Sequence, residues 1–206
     1  MPQSKQVTRV IERALGFEKY AAIMDMADDV DIEKDEEFQT LFNDYYDVRR
    51  NEEWRKLYYR YFAKYKSGPA PTFNQIIDAL YYNLRTNKGG THPVEASFSS
   101  KMLATLDSSK PVLDSHVLEN MNLSLSYASA SPEIKLLKAK QVYAAICRRY
   151  DTYMRTRDCM DAIGIFDSHF PDYKGVFSPV RKIDWFLWKL DRKELVEMGV
   201  FKELLD

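Results

Sequence analysis

Three polar residues that could take part in chemistry stand together at Asp114-Ser115-His116, after a proline-marked turn and before a helical pattern. A carboxylate that precedes a helix accepts hydrogen bonds from the first backbone amides and is favoured by the positive end of the helix. Such hydrogen bonds favour the charged carboxylate and fix its direction. Both properties suit a group that orients water or stabilises a developing cation. The sequence directly predicts Asp114 as a helix cap and leaves a catalytic role open.

Other signatures of catalysis or metal binding are missing from the sequence. It contains no phosphate-binding P-loop, no HExxH and no nucleophile elbow. The three histidines do not have metal-ligand spacing, so we predict no metal site. Cys147 and Cys159 are too few for a disulfide framework or for a four-cysteine zinc or iron–sulfur site. We therefore expect no cofactor, and reduced thiols in a cytoplasmic protein.

Composition indicates a folded protein and argues against some partners. The 206 residues are 45% hydrophobic and 30% charged, and no apolar run approaches the length of a membrane span. We expect no signal peptide, because charges interrupt the first apolar pattern. With 30 basic and 31 acidic side chains, the chain lacks the basic excess typical of nucleic-acid-binding proteins. A local basic face remains compatible with this balance.

The elements that would position Asp114 are helices. Apolar residues recur at spacings of three and four, strand-like alternation is scarce, and glycines are few. Breakers and caps divide the pattern into roughly eight to ten helices. The clearest segments are residues 6–26, 36–66 and 73–85, one from Pro93, one after Asp114, one after Ser131, 159–169 and one after Ser178. The sequence thus predicts an all-α, multi-helix globular protein.

One predicted helix carries a row of basic residues. Lys56, Arg60 and Lys64 are one turn apart, opposite a stripe of aromatic residues. The row could contact phosphates, or it could be a solvated face on which Glu52 pairs with Lys56. Helical spacing favours a core role for the aromatic stripe, and Trp185 and Trp188 are likewise predicted to close a core.

The order of elements around Asp114 resembles that of the helix-hairpin-helix DNA glycosylase superfamily. Gly89-Gly90 precedes a short link, the helix "PVEASFSSKMLATL", a loop and then "PVLDSHV". The resemblance covers roughly residues 73–121. It implies that Asp114 is the catalytic acid and helix cap, that Ser115 replaces a threonine, and that His116 and Val117 match family positions.

The resemblance also suggests how DNA would be held. Gly89 and Gly90 would form a hairpin whose amides face a phosphate. The sequence departs from the family because residues 93–106 contain no glycine and the iron–sulfur cysteines of some members are absent. Lys101 lies further along its helix than the lysine of bifunctional members. We therefore interpret Lys101 as a surface lysine or a phosphate contact.

The implied function is hydrolysis of the N-glycosidic bond of a damaged base that is flipped into a pocket. The alternative is a non-catalytic helical module that binds DNA or a protein partner. Enzymatic activity itself is left open. Residues 1–206 would form one helical domain, and the resemblance divides it into a lobe over about 36–125 and a lobe from the terminal segments, with Asp114 facing the cleft.

Overall fold

The computed structural model describes residues 16–84, 93–128 and 130–206. Within these ranges the chain forms eleven α-helices and a short 3-10 turn at Pro171–Tyr173, with no strand. The prediction of an all-α protein is confirmed. The helices are α1 (Phe17–Asp29), α2 (Glu36–Tyr45), α3 (Glu52–Lys66), α4 (Phe73–Asn83), α5 (Ala96–Leu106), α6 (Ser115–Asn120), α7 (Pro132–Tyr153), α8 (Arg157–His169), α9 (Pro179–Lys189), α10 (Arg192–Met198) and α11 (Lys202–Leu205).

Local capping residues decide where several helices begin. The predicted segment 36–66 is divided into α2 and α3, because the chain turns at Asp47 with a φ of 51° and Asn51 then caps α3. The fourth predicted helix begins at Ala96 and not at Pro93. Glu95 stands just before it, and its buried carboxylate binds Arg50 and the indole of Trp54 instead of lying in the first helical turn.

The described residues divide into two compact units. The first unit comprises residues 16–107 and 127–141, and the second comprises residues 108–126 and 142–206. Helix α7 contributes its first part to the first unit and the remainder to the second. The lobe boundaries and the cleft that the resemblance suggested stay predictions.

Aromatic rings fill the core of the first unit. Phe42 lies 5.6 Å from Phe62 and 6.0 Å from Tyr58, measured between ring centroids, and all three side chains are fully buried. The Tyr58 hydroxyl donates to the carbonyl of Phe98 at 2.9 Å, so its burial leaves no unpaired donor. The aromatic stripe of α3 is therefore core at Tyr58 and Phe62, as the spacing predicted.

Helix α9 is the centre of the second unit. It packs against α6, α8 and α10, and every residue from Val180 to Leu187 is buried. Charged side chains in such a position must be paired, because an isolated buried charge is costly. Lys182 accordingly forms an ion pair with Asp167. No helix of the described ranges is long and apolar enough to cross a membrane.

Candidate functional site

Asp114 caps α6. Its backbone is extended, with φ −143° and ψ −179°, and its carboxylate oxygen Oδ1 accepts the amide of Val117 at 3.0 Å. The capping prediction is confirmed. The side chain is only half-buried, so a fixed carboxylate at a positive helix end remains partly accessible.

The two residues after Asp114 lie in the first turn of α6 and are exposed. His116 contributes to a surface pocket of about 300 Å³ at the junction of α9 and α10. Nine described residues line this pocket, and Asp114 is not among them: His116, Glu119, Asn120, Trp188, Lys189, Leu190, Asp191, Arg192 and Glu194. The lining mixes both charges. Trp188 is partly buried and borders this pocket, so the prediction of a core residue is confirmed for Trp185 and holds only in part for Trp188.

The residues that lead into Asp114 are tied to α7 and α9. We call residues 108–113 the approach segment. Its carbonyls accept hydrogen bonds from Ser178 Oγ at 2.6 Å, from the Arg181 guanidinium, and from the Tyr143 hydroxyl at 3.1 Å. The amide of Val112 donates to Asp184 Oδ2 at 3.2 Å. The position of Asp114 therefore depends on side chains that lie 32 to 72 residues from their partners in the approach segment.

Asp184 is a buried and paired carboxyl group of the second unit. Its side chain is buried, with Tyr150 donating to Oδ1 and the Arg181 guanidinium 2.7 Å from Oδ2. Burial raises the pKa of Asp184 to about 6, although Arg181, Tyr150 and the Val112 amide each lower it. The negative charge of Asp114 also raises this pKa, so the two carboxylates are close enough to interact.

The network around Asp184 is absent from the predictions made from the sequence. Its local signal was present, because Arg181 and Asp184 are three residues apart inside a strongly apolar stretch. Such a pair with apolar residues on both sides of it in sequence is compatible with a buried ion pair as well as with a solvated face.

Lys101 lies in the first unit, whereas Asp114 lies in the second. Its ammonium is 5.3 Å from the ring centroid of Phe98 and 5.2 Å from that of Tyr46, and it donates to the Tyr46 carbonyl at 3.5 Å. Aromatic faces attract a cation at such distances. Lys101 is therefore half-buried against aromatic rings, and its role as a phosphate contact stays a prediction.

The basic row of α3 is exposed and also lies in the first unit. Lys56 forms an ion pair with Glu52 at 2.6 Å, and Arg60 lies 3.5 Å from Glu33. Lys64 lies 5.6 Å from the ring centroid of Tyr61. These are solvated partners, and a solvated ion pair contributes little to stability, so a phosphate could replace either carboxylate at small cost.

Three further expectations concern the hairpin, metals and thiols. Gly89 and Gly90 lie outside the described residues, so the phosphate-binding hairpin stays a prediction. Across the described ranges, no three His, Cys, Asp or Glu side chains are grouped so that they could hold a metal ion. Burial raises the pKa of Cys147, and it raises that of Cys159 to about 11, which makes both thiols weak nucleophiles.

Comparison of the chain with protein-family models gives no match, and comparisons with curated proteins and with solved structures give none either.

Proposed function

We propose that the protein hydrolyses the N-glycosidic bond of a damaged base in DNA, with Asp114 as the catalytic carboxylate. One observation carries this proposal: Asp114 caps α6 through Oδ1 and is half-buried, at the position that the helix-hairpin-helix resemblance assigns to the catalytic acid. The order of elements from Gly89 to Val117 in the sequence supports the same proposal.

In the proposed reaction, the bond between the sugar carbon C1′ and the base nitrogen breaks, and the base leaves with the bonding electrons and takes up a proton. Positive charge develops on the sugar, and the Asp114 carboxylate stabilises it. The carboxylate also orients water, whose oxygen bonds to C1′ and whose proton is lost. The base must leave the duplex stack for this reaction, and a damaged base does so at lower cost.

The test of this function is a set of duplexes that each carry one oxidised, alkylated or deaminated base. The full chain should release the free base from at least one of them, which mass spectrometry detects directly. Release from none of the set would contradict the proposal.

A second candidate is a non-catalytic helical module that binds a protein partner. It is favoured by the mixed charges beside the basic row, since Lys56 and Arg60 both have acidic neighbours. Three large apolar side chains of the first unit are also exposed, namely Tyr82, Ile134 and Leu137.

Neutralising the basic row separates the two candidates. If Lys56, Arg60 and Lys64 contact phosphates, replacing all three with Gln should reduce the slope of log K against log salt concentration by about three, one for each lost contact. Duplex binding by fluorescence anisotropy at several salt concentrations measures this slope. The matched control has the same three charges removed from exposed lysines of the second unit: Lys174, Lys193 and Lys202. Equal slopes in both variants would favour the protein-binding module.

A further inference from the structure

The buried network around Asp184 has no part in the reaction described above. Asp184 joins three elements through one carboxylate: Tyr150 of α7, Arg181 of α9 and the amide of Val112 in the approach segment. The side chain of Arg181 is 5% exposed and that of Asp184 is 11% exposed. The approach segment ends at Leu113, next to Asp114.

The contacts of the approach segment follow one another along the chain. The Ser178 hydroxyl donates a hydrogen bond to the carbonyl of Ser108, and the Arg181 guanidinium donates one to the carbonyl of Lys110. The Tyr143 hydroxyl donates a hydrogen bond to the carbonyl of Pro111, and the Asp184 carboxylate accepts one from the amide of Val112. Four of the six residues are therefore fixed by side chains of α7, of α9 and of Ser178, which caps α9.

A carboxylate is the side chain that this position requires. It receives donors from Tyr150, Arg181 and Val112, and a carboxylate has acceptor sites for all three. An amide of the same size has one acceptor oxygen, so its nitrogen would have to face Tyr150 while that oxygen receives both other donors, and it lacks the negative charge that pairs with Arg181. Burying a charge costs free energy, so a buried ion pair is weak evidence for a gain in stability. Its presence here points to a role in fixing geometry.

We propose that Asp184 is a positioning residue for Asp114, because it holds the approach segment and so fixes where the Asp114 carboxylate lies. This role rests on the proposed function of Asp114 in base release. Asp184 itself contacts neither the attacking water nor the substrate in that reaction.

The charged and titratable groups that face Asp184 come from each neighbouring element. They are Arg181 on the same helix, Tyr150 and Tyr143 on α7, and Asp114 after the approach segment.

The test compares Asp184→Asn with Asp167→Asn. Asp167 is a matched control because its carboxylate also pairs with a buried cation of α9, Lys182, in the same unit. In Asp184→Asn, hydrogen exchange of the Val112 amide should be at least about tenfold faster relative to the amide of Ala162 in α8. The amide of Val117, which donates to Asp114 Oδ1, should also exchange faster relative to the same reference amide. Neither change should occur in Asp167→Asn.

Activity provides the second measurement. Base release should fall about 100-fold in kcat for Asp184→Asn, with KM within about twofold, because the reacting groups are misplaced while DNA is still bound. Tyr150→Phe removes one donor without removing the charge and should change the Val112 exchange in the same direction by a smaller factor. This second variant keeps the test decisive if Asp184→Asn does not fold.

The outcomes separate the two proposals. If the wild-type chain releases no base, the function of Asp114 fails, and the exchange of the Val112 and Val117 amides still decides whether Asp184 holds the approach segment. If Asp184→Asn and Tyr150→Phe match the Asp167→Asn control in the exchange of the Val112 and Val117 amides, the positioning role is overturned.

Discussion

Asp114→Asn should lower the rate of base release by at least about 100-fold while leaving the fold intact. The fold stays intact because the amide of the variant keeps an oxygen that can accept the Val117 N–H, and Asn is as good a helix cap as Asp. What the amide lacks is the negative charge that would face the developing sugar cation.

The matched control for this variant is Asp35→Asn. Asp35 is also a half-buried helix cap, and its carboxylate accepts the amide of Phe38 at 2.7 Å in the first unit. Both variants should unfold at nearly the wild-type urea midpoint, and only Asp114→Asn should lose base release. Equal activity of the two variants would remove Asp114 from the reaction and leave it as a helix cap only.

The second large effect is a pH-dependent stability that arises from Asp184. The unfolded chain titrates this carboxyl near 3.8, whereas burial raises its pKa to about 6 in the folded chain. Between these values the folded state holds a proton that the unfolded state has lost. The stabilisation is therefore fully present below pH 3.8 and is lost as the pH rises through about 6. The gap of about two pH units corresponds to about 3 kcal/mol in the free energy of unfolding.

Urea unfolding of wild type and Asp184→Asn at several pH values measures this contribution. Other carboxylates have the opposite sign, since the pKa of Asp31 is lowered by Lys34 and that of Glu52 by Lys56. Their contributions cancel in the difference between the two proteins. The stability of wild type relative to Asp184→Asn should thus be about 2 kcal/mol greater near pH 4 than near pH 7. A difference that stays constant with pH would show that Asp184 titrates normally.

Local signals in the sequence predicted the helices and their ends well. Asp114 was predicted as a cap because a short polar side chain precedes an apolar helical pattern, and the Val117 amide confirms it. Ser178 before Pro179 was a helix start for the same reason, and its hydroxyl accepts the Arg181 amide at 3.2 Å. Each of these hydrogen bonds joins residues three apart in sequence, so the residue types within one helical turn are enough to predict it.

The network that holds Asp114 could not be predicted in the same way. Val112 and Asp184 are 72 residues apart, so their contact depends on how α9 packs and not on any local pattern. Trp188 shows a second limit. Its spacing from Trp185 places both on an apolar helix, but spacing does not give the width of the buried face, and Trp188 lies at its edge beside the pocket.

The role of Asp114 can be measured without knowing which base the protein removes. A duplex with a pyrrolidine in place of one sugar carries a protonated nitrogen that imitates the sugar cation, and a duplex with a tetrahydrofuran at the same place has the same shape without the charge. If Asp114 stabilises that cation, the wild-type chain should bind the pyrrolidine duplex at least about tenfold more tightly than the tetrahydrofuran duplex. Asp35→Asn should keep this preference and Asp114→Asn should lose it. Equal affinity of the wild-type chain for both duplexes, or a preference that survives in Asp114→Asn, would contradict a catalytic Asp114.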